Sequence, residues 1–63
     1  MLQQYQTFTL KKDLNPVITA GMTGVILEVY DEDSFEVEFV KPNGSNYEYN
    51  DRSTFTIHTD DVI

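Results

Sequence analysis

Gly21-Met22-Thr23-Gly24-Val25-Ile26-Leu27-Glu28-Val29-Tyr30 and, after a short gap, Phe35-Glu36-Val37-Glu38-Phe39-Val40 decide the fold class. The second segment alternates apolar and acidic residues, the period-2 pattern of a half-buried strand. The first is almost continuously apolar from Val25 to Tyr30, broken by Glu28, and rich in β-branched side chains. Residues 31–34 join the two as a short hairpin loop. The register that separates the faces best sets Val29 opposite Val37 and Leu27 opposite Phe39. Val25, Leu27, Val29, Val37 and Phe39 then share the inner face. Ile26, Glu28, Tyr30, Glu36, Glu38 and Val40 share the outer one.

Outward from this hairpin the punctuation stays regular. Residues 5–11 place Phe8 and Leu10 in alternation with Thr7 and Thr9, a strand. Residues 12–23 form a long loop, in which Asn15-Pro16 stops regular structure and Gly21 and Gly24 serve a tight turn. Lys41-Pro42-Asn43-Gly44-Ser45 is a turn by composition. Residues 46–50, with Tyr47 and Tyr49 on one side, read as a short strand, Asn50-Asp51-Arg52 as another turn, and residues 54–58 as a strand with Phe55 and Ile57 inward. Residues 59–63 predict one helical turn capped by Thr59, after which Val62 drops back into the core. Five or six short antiparallel strands without a convincing helix predict an all-β fold. An SH3-like barrel is the most economical closure of its edges.

The chain has 63 residues, room for one domain, 1–63. At this size only roughly 60% of the unfolded surface is buried, so a partner or a homodimer is as reasonable an expectation as a self-sufficient core. No cysteine is present, which excludes disulfides, a thiol nucleophile and thiolate metal sites. Eleven Asp and Glu stand against four scattered Lys and Arg, Lys11, Lys12, Lys41 and Arg52, for a net charge of −7. Such a chain offers almost nothing to nucleic-acid phosphates or anionic membranes, and its field attracts basic partners. No stretch reaches the roughly 18 to 20 apolar residues of a membrane helix. The first residues carry neither a basic group nor an apolar run, so a cytoplasmic location is expected.

The two central segments resemble a family of short acidic bacterial proteins catalogued as a domain of unknown function. The shared features are Tyr5, Phe8 and Leu10 in the first strand, the Gly21-Met22-Thr23-Gly24-Val25-Ile26 strand, Phe35-Glu36-Val37-Glu38-Phe39, and the closing Thr59-Asp60-Asp61-Val62, which is shifted by one position. The glycine-framed strand is also similar to the KOW motif of ribosomal and transcription-elongation proteins, and more distantly to the nitrile hydratase β-subunit. Both resemblances imply an SH3-like barrel. Neither implies RNA binding, because the basic loops of KOW proteins have no counterpart in this chain.

Candidate sites are few. His58, the only histidine, falls opposite in phase to Ile57 and reads as a surface residue. No nucleophile elbow accompanies Ser34, Ser45 or Ser53, although Asp60 is two residues away, so no enzyme is expected. Asp31-Glu32-Asp33 lacks the glycine and distant glutamate of a calcium loop and reads as a solvated tip, with no metal or cofactor implied. Glu28, expected to face Glu38, together with Glu36 and Tyr30 makes an acidic face. Its plainer reading is an edge kept soluble by charge, and its functional reading is a docking face for a basic protein with Tyr30 as aromatic anchor. Tyr47 and Tyr49 read equally as core packing or, with Tyr5, as a candidate aromatic groove for a proline-rich peptide. The expected function is a non-enzymatic interaction module of immunity- or antitoxin-like character. The alternative is an accessory domain of a larger bacterial enzyme assembly.

Overall fold

The computed structural model describes residues 2–63. Strands β1 (Thr7–Thr9), β2 (Thr23–Val29), β3 (Ser34–Glu38) and β4 (Thr54–His58) form one antiparallel sheet in the order β1-β2-β3-β4. A 3-10 turn, η1 (Thr59–Asp61), follows β4. The chain is all-β. Among the described residues no helix is long and apolar enough to cross a membrane.

Strict alternation explains β3 and β4. Phe35, Val37 and Ile57 are fully buried, and Glu36 pairs outward with Thr56 across the β3–β4 ladder. Phe39 continues the inward row and meets Phe8 edge-on at 5.6 Å and Phe55 at 6.1 Å. Leu10, Ile18 and Ile26 complete the core with them.

In β2 the register differs from the expected one. Val25 pairs with Glu38, Ile26 with Val37, Glu28 with Glu36 and Val29 with Phe35, and a bulge falls at Leu27. The extra residue resets the phase of the strand. Ile26 on one side of the bulge is therefore fully buried, and Val29 on the other side packs on the core. Val25 and Leu27 are only half-buried. Val25-Ile26-Leu27 is apolar throughout, so alternation could not assign its faces.

Gly24 also departs from its expected role. It lies inside β2 opposite Phe8, and its φ is not positive. Its missing side chain admits Phe8, Phe39 and the Glu38 backbone instead. Gly21, at φ +92°, does occupy the turn conformation that favours glycine.

Residues 46–50 form no ladder. Asn46 bridges Val40 and Tyr49 bridges Arg52, each singly. The Tyr49 and Arg52 backbones exchange two hydrogen bonds of 3.0 Å around Asn50 and Asp51, whose φ values are +52° and +63°. This is a tight primed turn, and it uses residues that tolerate left-handed backbone.

The 11–22 loop is folded rather than merely connecting. Asn15 Oδ1 accepts the N–H groups of Val17 and Ile18 at 2.9 and 2.8 Å, and this turn drives Ile18 into the core. At the other end, η1 begins after His58 rather than at a Thr59 cap, and the Asp61 carboxylate accepts the His58 N–H at 2.9 Å. Val62 then packs on the core and bridges Leu10, with Lys11 N–H donating to Asp61 O at 2.8 Å and Ile63 N–H to Thr9 O at 2.9 Å. The segment after β4 thus returns to β1.

Candidate interaction surface

The bulge at Leu27 decides the composition of the outer face. It sets Glu28 beside Glu36, as register partners on adjacent strands. Directly opposed residues on one face keep their Cβ atoms about 5 Å apart, where like charges repel. Tyr30 follows at the end of β2, 51% exposed, and its hydroxyl donates to Glu36 Oε1 at 2.9 Å. Glu28, Tyr30 and Glu36 therefore form one cluster.

Glu38 leaves this cluster, contrary to the expected Glu28–Glu38 pairing. It lies opposite Val25, and its Oε2 accepts a hydrogen bond from Asn46 Nδ2 at 2.9 Å. Tyr47 is half-buried against the core with Lys41 Nζ 5.4 Å above its ring. Tyr49 lines a cleft of about 350 Å³ together with Leu14, Asn50, Arg52, Phe55 and Thr56. Tyr5, 71% exposed at φ +67°, shares no ring contact with either tyrosine among the described residues. The three tyrosines do not line one groove. The Tyr49–Phe55 cleft was not foreseen, because it depends on where the 11–22 loop brings Leu14 relative to Phe55 and Thr56.

The cluster carries little internal compensation. Among the described residues no Lys or Arg nitrogen lies within 4.0 Å of a carboxylate, and the close contact of that kind is His58 Nδ1 to Asp61 Oδ2 at 3.9 Å. The hydrogen bond to Glu36 raises the Tyr30 pKa above its ordinary 10.0, the charges of Glu36 and Glu28 add to the rise, and Arg52 pulls the other way. Folding therefore favours the protonated phenol. The associated stabilisation is complete below the unfolded value of 10.0 and is lost as pH rises through the higher folded value. Absorbance titration should show one tyrosine ionising late, and Glu36→Ala should return it toward 10.0. An unchanged titration curve in that variant would place the cause elsewhere.

The remaining candidates gather no further chemistry. His58 is exposed and lies opposite Ser34 across β3–β4, but no hydrogen bond joins them. Its nearest carboxylate is Asp61 rather than Asp60. In the 31–33 tip, Asp31 Oδ1 accepts the Asp33 N–H at 2.8 Å, an Asx turn. Among the described residues no group of three His, Asp or Glu side chains is assembled as a metal site.

No family model, curated protein or solved structure matches the chain.

Proposed function

We propose that this chain is a non-enzymatic binding module in which Glu28, Tyr30 and Glu36 dock a basic protein. The observation that carries the reading is the Glu28–Glu36 pair, without a salt bridge among the described residues, held side by side by the bulge and flanked by an exposed tyrosine. Opposed like charges cost a small domain stability it has little of. A cationic side chain placed between them turns that repulsion into attraction, and complementary fields speed the encounter. Tyr30 offers a large amphipathic ring at the edge of the pair. This is the chemistry by which immunity and antitoxin proteins neutralise cationic targets, and a cytoplasmic role of that type fits the net charge of −7. An SH3-like barrel is the fold we assign. The meander order, the 3-10 turn and the Leu10–Val62 bridge that brings the last segment to β1 support it.

Affinity capture from a lysate of the source organism tests the reading, with the wild-type chain beside Glu28→Lys/Glu36→Lys. A basic protein retained by the wild type and lost by the variant is expected. Equal retention by both removes the site from this face. A stoichiometric enzyme complex indifferent to the charge reversal would instead make the chain an accessory subunit.

A further inference from the structure

The β4 strand has an open edge. Tyr30 N–H donates to Ser34 O at 3.0 Å, so Ser34, Glu36 and Glu38 turn their backbone groups toward β2. Phe35 and Val37 then bond to Ile57 and Phe55 of β4. It follows that Thr54, Thr56 and His58 turn their N–H and C=O groups away from the sheet. The His58 N–H is taken by Asp61. Among the described residues no group bonds the N–H or C=O of Thr54 or Thr56 on that side. β4 reads Thr-Phe-Thr-Ile-His, without the lysine, proline or inward charge that usually blunts an edge. The cleft lined by Leu14, Tyr49, Phe55 and Thr56 lies along this edge.

We propose that this edge takes up an extended segment of the partner as an added strand, with basic and apolar residues alternating along it. The proposal rests on the acidic-face reading and names the form of its partner. In an added strand, alternate side chains rise beside Thr54 and Thr56 on the outer face, and the others point toward Leu14 and Phe55. Two strand spacings, about 10 Å, separate the outer row from Glu36 and Glu38, a gap that a lysine and a glutamate span together across the small threonines. Arg52 lines the cleft, and the apolar Leu14 and Phe55 there favour apolar side chains on the other row. A second copy of the chain is disfavoured as occupant, because each carries a net charge of −7.

The probe is a blocked heptapeptide alternating lysine and valine, titrated into the full chain at low salt and followed by amide NMR and hydrogen exchange. A second peptide is N-methylated at the amides that would reach Thr56. Thr56→Pro removes the edge N–H without touching the β3–β4 ladder, since proline is tolerated on edge strands. The expected result is new protection at Thr54 and Thr56 on binding. Both the N-methylated peptide and Thr56→Pro should bind about tenfold more weakly, the effect of losing an edge hydrogen bond or two. The N-methylated peptide keeps the test valid even where Thr56→Pro fails to fold. Equal binding of both peptides, with shifts confined to Glu28, Tyr30 and Glu36, would overturn the strand-addition proposal and leave the acidic face standing. An absence of binding alongside charge-dependent capture of a protein would do the same. Protection at Thr56 that grows with protein concentration without peptide would assign the edge to self-association and overturn the proposal.

Discussion

Gly24→Val is expected to leave the chain unfolded at room temperature, and Gly24→Ala to lower its stability by about 3 kcal/mol. A Cβ at this position would lie 2.7 Å from Phe8 Cζ, 2.8 Å from the Glu38 carbonyl oxygen and 2.8 Å from Phe39 Cε1. Phe8 can shift, but Glu38 O belongs to the backbone of β3, and Phe39 is wedged between two other rings. Relief therefore requires β2 and β3 to separate where Val25 pairs with Glu38. Domains hold roughly 0.05–0.15 kcal/mol per residue, so a chain of 63 residues has about 3–9 kcal/mol in total. Alanine consumes much of that, and valine exceeds what the hairpin can absorb. Far-UV circular dichroism and urea midpoints measure both. An alanine variant as stable as the wild type would show that the β2–β3 contact is looser than described.

Phe39→Ala is expected to lose about 3–5 kcal/mol, again most of the available stability. The Phe39 ring is fully buried and touches Phe8 from β1 and Phe55 from β4, so it joins opposite ends of the sheet. Its removal leaves a cavity, and each aromatic pair adds about 0.5–1.5 kcal/mol beyond area. Phe39→Leu keeps much of the volume but loses both ring pairs, so it should cost about 1–3 kcal/mol, less than alanine. Guanidinium unfolding of the two variants separates the cases. A loss from Phe39→Ala no larger than that from Phe39→Leu would contradict the central place given to this ring.

Where alternation was strict, residues and structure agree. Phe35, Val37, Phe39 and Ile57 point inward as their spacing implies, and β4 occupies residues 54–58. The departures have local causes. The apolar run before Glu28 carries no period, so nothing in it marks the bulge at Leu27. The consequence reaches the site, since Glu28 meets Glu36 and Glu38 turns to Asn46. Ile18 enters the core through an Asx-type turn at Asn15, a side-chain-to-backbone contact that hydrophobic spacing does not encode. Tyr47 and Tyr49 were legible as a pair, but the primed turn at Asn50-Asp51 pairs Tyr49 with Arg52, and residues 46–50 make only single bridges instead of a strand. The acidic character of the face was readable from composition, and its pairing was not.

The central claim is that Glu28 and Glu36 repel each other in the free protein and are left so for a cation supplied by another chain. A double-mutant cycle of urea unfolding at low salt tests it most directly, with wild type, Glu28→Gln, Glu36→Gln and the double variant. The account predicts that either single substitution stabilises, that the pair has a repulsive coupling of about 0.5 kcal/mol, and that salt diminishes it. A coupling of zero at low salt, or an attractive one, would contradict it.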